Sequence, residues 1–117
     1  VRLEGGITSI AKSLGATIVS ATAVSMSKSH PGSVTSVVVT DAAAVSACCK
    51  FADDHRCMVE PACGAALAGA AYDSEGVSSG VKVLLNNGGE GTKNVVVIAC
   101  GGNIVSRDMM HEWLEKV

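Results

Sequence analysis

Two short stretches bring together residue types that could do chemistry: Glu60-Pro61-Ala62-Cys63-Gly64 and Cys100-Gly101-Gly102-Asn103. Each sets a thiol beside glycine, and the first adds a carboxylate. Glycine lets a backbone approach a ligand with no Cβ in the way. The Cys100 stretch therefore reads equally as a ligand-binding turn and as a plain tight turn. Cys100 itself could be a nucleophile, a cofactor contact or an inert thiol. A nucleophilic cysteine needs a base at hand, and His30, His55 and His111 all fall in polar stretches that suit solvated surface. Neither a glycine-rich loop ending in Gly-Lys-Ser/Thr nor G-x-G-x-x-G opening a helix occurs, so no phosphate loop is encoded.

The five cysteines are Cys48, Cys49, Cys57, Cys63 and Cys100. They form no C-x-x-C pair and have no His-x3-His partner, so the spacing does not describe a zinc site. Their odd number and apolar neighbours predict reduced, buried thiols of a cytoplasmic protein.

Elements must hold these stretches in place. Apolar residues at 7, 10, 11 and 14 predict a helix over Ile7 to Leu14, with Thr8 or Ser9 as cap and Gly15 as stop. Ala16 to Ser20 reads as a short strand, Thr22 to Lys28 as a helix, and His30-Pro31-Gly32 as its end. Val37 to Thr40 reads as a second strand, and Thr40-Asp41 caps a helix over Ala42 to Ala52. Cys57 to Val59 reads as a brief buried strand. Pro61 suits a first helical turn, so Ala62 to Tyr72 follows as an alanine-rich helix. Gly64 and Gly69 within it predict close packing against a neighbour. A helix over Val77 to Leu85, a loop over Asn86 to Lys93, a buried strand over Asn94 to Ala99 and a closing helix over Ser106 to Lys116 complete the pattern. Alternation at this spacing predicts βαβ units and a parallel sheet. Both candidate stretches then lie beyond the carboxyl ends of strands, where such sheets bind ligands.

Composition agrees with an interior of this kind. Of the 117 residues 48% are hydrophobic and only 3% aromatic, so the apolar content is mostly valine and alanine. Valine runs suit strands covered on both faces. The formal net charge is -2 with no basic patch, and with so few aromatic residues there is no stacking surface, which excludes nucleic-acid binding. No stretch approaches the ~20 consecutive apolar residues of a membrane-spanning helix. The opening Val-Arg-Leu-Glu-Gly-Gly is not a signal peptide, and its lack of an initiator Met predicts a fragment.

The stretches ITSIAKSLGA (Ile7 to Ala16), VEPACGAALAG (Val59 to Gly69) and VVVIACGGN (Val95 to Asn103) resemble the C-terminal portion of L-serine dehydratases. These belong to the fold-type-II pyridoxal-phosphate family, with threonine deaminases, serine racemases and tryptophan synthase β chains. The resemblance covers nearly the whole chain in order, and the pairing of EPACGAALA with CGGN makes it specific. It implies a three-layer α/β/α architecture with a parallel-rich sheet, residues 1–117 being the C-terminal part of the large catalytic domain.

The resemblance also implies roles. The residue after the last core strand, here Cys100 with Gly101 beside it, would face the pyridine nitrogen of pyridoxal 5'-phosphate. A neutral thiol there makes the cofactor a weaker electron sink than a carboxylate would, which suits β-elimination of water. Glu60 would be a hydrogen-bonding partner near the same end of the site, or simply a carboxylate favoured by a helix N-terminus. The backbone carbonyls of Leu14 and Ala16 match a family site for a monovalent cation such as K+, and equally a helix end closed by Gly15. The implied parent is a cytoplasmic homodimer that acts on a small amino acid, L-serine and also L-threonine, releasing ammonia and a 2-oxo acid.

The departure is large. The family's Schiff-base lysine and its phosphate-holding run of glycines have no counterpart here, so the chain alone is expected to be inactive. The alternatives are a fragment of a threonine deaminase or serine racemase, which usually carry serine where Cys100 stands, and a non-catalytic interaction module.

Overall fold

The computed structural model describes residues 2–70, 72 and 94–117. The expected helix over Val77 to Leu85 and loop over Asn86 to Lys93 lie outside the described residues.

The core forms where two alanine-rich helices can approach closely. Helix α2 spans Asp41–His55 and α3 spans Pro61–Ala70. Thr40 begins α2 as the sequence predicts: its side chain accepts a bond from the Ala43 amide at 3.2 Å. Arg56, in the left-handed region at φ 57°, ends the helix by donating its amide to the Ala52 carbonyl. Ala43, Ala47 and Cys48 of α2 meet Cys63, Leu67 and Ala68 of α3, with Val59 closing the layer. Gly64 makes this contact possible, because a Cβ there would lie 2.1 Å from the Ala44 carbonyl oxygen. Gly69 lies on the same helix, lining a cavity shared with Ala44.

Helix α1, Ala21–Ser29, is capped by Ser20 and buries none of its residues. Helix α4, Arg107–Lys116, starts at Ser106, whose side chain accepts from the Met109 amide at 3.2 Å. It lies beside α2, the two sharing a cavity of about 440 Å³ that Cys49 and Ala52 line opposite Met110 and Leu114.

The helix expected over Ile7 to Leu14 is not formed; only Lys12–Leu14 make a 3-10 turn. The amides a helix would use internally are claimed by side chains. Ile10 donates to an Asp41 carboxylate oxygen at 3.1 Å and Ala11 to the Ser9 hydroxyl at 3.0 Å, while that hydroxyl donates to the other Asp41 oxygen at 2.5 Å. Gly15 follows the turn in extended backbone, with Ile7 folded against it.

Among the described residues no multi-residue strand forms, so they do not display the expected parallel sheet. Arg2 and Ile18 make one antiparallel bridge in the stretch read as the first strand. One face of each valine run is open among the described residues. Val37, Val39 and Val97 turn inward, whereas Val38 is 73% exposed, Val96 88% and Ile98 75%. No described element covers that second face. Of Cys57 to Val59 only Val59 is buried. Among the described residues no helix is long and apolar enough to cross a membrane.

Candidate functional site

Glu60 and Gly101, 41 positions apart in the chain, are joined directly: the Glu60 amide donates to the Gly101 carbonyl at 3.2 Å. The residues around them explain why. Glu60 precedes Pro61 at the start of α3, and its carbonyl accepts the Cys63 and Gly64 amides that open the helix. The same carbonyl accepts a bond from the Cys48 thiol at 3.3 Å, which anchors the turn to α2. On the other side Gly102 packs so closely that a Cβ would fall 1.9 Å from the Met58 carbonyl oxygen. Gly101 sits at φ +145°, a conformation side chains rarely adopt, and an added Cβ there would meet nothing within 4 Å. The loop is clamped at its back by Gly102 and open at Gly101.

Two sulfur atoms meet across this junction. Cys63 Sγ and Cys100 Sγ lie 3.2 Å apart, and Cys63 donates to the Gly101 carbonyl at 3.3 Å. With its one proton spent there, Cys63 receives the Cys100 thiol. That bond raises the Cys100 pKa most, followed by the charge Cys63 would carry when ionised and by desolvation, and the nearby Glu60 carboxylate adds to the effect. Cys100 is thus held as a neutral thiol. Burial pushes Cys48 up to about 12.

The Glu60 side chain does not turn back to its own helix. Its carboxylate accepts from the Ser13 hydroxyl at 2.6 Å. Ser13 escaped the sequence reading because nothing local marks a contact 47 positions distant. Glu60 also lines a cavity of about 290 Å³ with Lys12, Ser13, Trp113 and Lys116.

The structure therefore brings Cys100, Gly101 and Glu60 together. It does not bring Leu14 and Ala16 into one cavity: Leu14 borders the space next to Ala44, and Ala16 the space next to Gly5 and Gly6. Both are exposed. Of the five cysteines, expected to be buried, only Cys48 and Cys63 are buried, and Cys49 is half-buried. Cys57 and Cys100 are exposed because each sits in a connection outside the α2–α3 core. His30, His55 and His111 are exposed, as their polar surroundings suggested.

No family model matches the chain. Comparison with individual proteins is decisive. Over 105 residues it is 46% identical to the L-serine dehydratase/L-threonine deaminase of Bos taurus, a match covering 86% of this chain. It is homologous to the L-serine dehydratases. Over 109 residues it is 45% identical to a serine dehydratase-like protein of Mus musculus, and 37% identical to the L-serine dehydratase of Dictyostelium discoideum. Those two matches cover 91% and 93% of this chain. The chain spans 28–30% of the length of these three relatives. The dehydratase homology extends over Glu60 and Cys100, the two stretches that the fold joins.

Proposed function

We propose that the chain is the C-terminal part of the large domain of a pyridoxal-phosphate-dependent L-serine ammonia-lyase, active also on L-threonine, with Cys100, Gly101 and Glu60 on the cofactor side. The observation that carries this reading is the neutral Cys100 thiol beside a glycine with open space above it. These residues fit a planar pyridine ring. Gly101 leaves room for it, and Cys100 can share a hydrogen bond with a ring nitrogen without supplying negative charge. When bound, the cofactor supplies the electron sink for removal of the substrate's α-proton and departure of its β-hydroxyl. Keeping Cys100 uncharged leaves that sink moderate, which favours elimination. Glu60 positions the loop through its amide, and its carboxylate is oriented by Ser13.

The family resemblance supports the rest of the reading. The whole protein has a three-layer α/β/α fold with a parallel-rich sheet and acts as a cytoplasmic homodimer. Its Schiff-base lysine lies outside this chain. The same resemblance assigns a monovalent cation to the Leu14 and Ala16 carbonyls.

The test has two arms. Borohydride treatment of the 117-residue chain with added pyridoxal phosphate should leave no stoichiometric label on a single lysine. The whole protein, treated identically, should be labelled once and should release pyruvate from L-serine. A single lysine labelled in the chain alone, or a whole protein that takes no label, overturns the reading.

A further inference from the structure

We propose that Cys63 and Cys100 are a redox pair that a small-molecule disulfide converts to an intramolecular disulfide. The geometry already places the two sulfurs 3.2 Å apart, one on the first turn of α3 and one on the Cys100 loop. Both backbones are fixed next to the thiols. Gly64 is pressed on the Ala44 carbonyl, Gly102 on that of Met58, and the Glu60 amide ties the loop to the helix start. The two cysteines therefore face each other across this junction.

They also differ in access. Cys100 is exposed and Cys63 is 1% exposed, the arrangement of an attacking thiol and a resolving one. In alkaline buffer, which overcomes the raised Cys100 pKa, the Cys100 thiol loses its proton and the thiolate attacks one sulfur of a disulfide RSSR, forming the mixed disulfide and releasing one RS⁻. The Cys63 thiolate then attacks the Cys100 sulfur, closing the protein disulfide and releasing the second RS⁻. Two electrons pass to the small disulfide, and the two cysteine protons end on the released thiols. Cys57 is also exposed, but no second sulfur contacts it among the described residues, so it can take an adduct and not close a link; the other two thiols are less accessible. Cys48 is buried and bonded to the Glu60 carbonyl, and Cys49 is half-buried on α2.

The consequence is mechanical as well as chemical. Closure would lock the Cys100 loop to α3 and remove the exposed thiol. The inference stands apart from the cofactor reading, because mass alone decides it.

The experiment incubates the 117-residue chain with oxidised glutathione, then traps thiols and measures intact mass and linked peptides. The expected product carries a Cys63–Cys100 link that accounts for a loss of two hydrogens, apart from any glutathione adduct at the exposed Cys57; it returns to the starting mass with dithiothreitol, and forms with no such selectivity in concentrated guanidinium. C63S should stop at a glutathione adduct on Cys100. C100S, altered at an exposed position, should form neither the link nor an adduct at Cys63. A wild-type chain that retains a stable adduct on Cys100, or one whose links in buffer are scrambled among the other cysteines, overturns the proposal.

Discussion

Gly64 and Gly102 have no room for a methyl group, and they hold the two halves of the candidate site. A Cβ at Gly64 would stand 2.1 Å from a backbone oxygen of α2, and one at Gly102 1.9 Å from a backbone oxygen of Met58. Backbone atoms in a packed core yield only by moving a whole element. Gly64→Ala and Gly102→Ala should therefore each cost about 1–3 kcal/mol, the usual range for overpacking. Gly15→Ala is the contrasting case, since its Cβ would meet the side chain of Ile7 alone, which can rotate away. Urea denaturation checks this as a lower midpoint for the first two variants and a smaller change for the third. Equal losses at all three positions would show that the close approaches are not what matters. The importance of Gly64 was legible in the sequence as a glycine inside a helix. That of Gly102 was not, because a glycine pair after an apolar run suits a tight turn equally well.

Asp41 links two elements. It opens α2, where a carboxylate is favoured by the helix dipole, and it holds the Ser9 hydroxyl and the Ile10 amide. Asp41→Asn keeps the shape but loses the charge, and should destabilise the chain by about 1–2 kcal/mol, as expected for a charge-assisted bond and a dipole contact together. The same change should speed hydrogen exchange at the Ile10 amide more than at amides in the middle of α3. If Ile10 exchange is unaltered, the segment is held by other contacts. The Thr40-Asp41 cap was readable in advance because its partners lie within three residues. The fate of Ile7 to Leu14 was not, because the carboxylate that takes the Ile10 amide and the Ser9 hydroxyl comes from 31 and 32 positions away.

At the scale of the whole molecule the outstanding feature is an open apolar face. Val38, Val96 and Ile98 are each more than 70% exposed, while their neighbours Val37, Val39 and Val97 turn inward. A face of this kind promotes association in water. The 117-residue chain should sediment as concentration-dependent assemblies. Val96→Lys combined with Ile98→Lys should shift it toward the monomer with little cost to folding, since both side chains are already in solvent. Assembly unchanged in the double variant would place the association elsewhere.

The sequence by itself determined the presence of the helices observed over Asp41–His55, Pro61–Ala70 and Arg107–Lys116, with ends displaced by a few residues, because caps, proline and helical spacing are local signals. It also carried the resemblance to L-serine dehydratases, since EPACGAALA and CGGN are contiguous strings readable without any fold. Only the tertiary structure decided that Glu60 meets Ser13 and Gly101, and that Cys63 meets Cys100. It also decided which face of each valine run is left open. Hydropathy reports that a run is apolar on every residue, but whether a second layer covers it depends on chain packed from elsewhere. Two thiols 37 positions apart can touch only after α3 and the Cys100 loop have closed on the same turn.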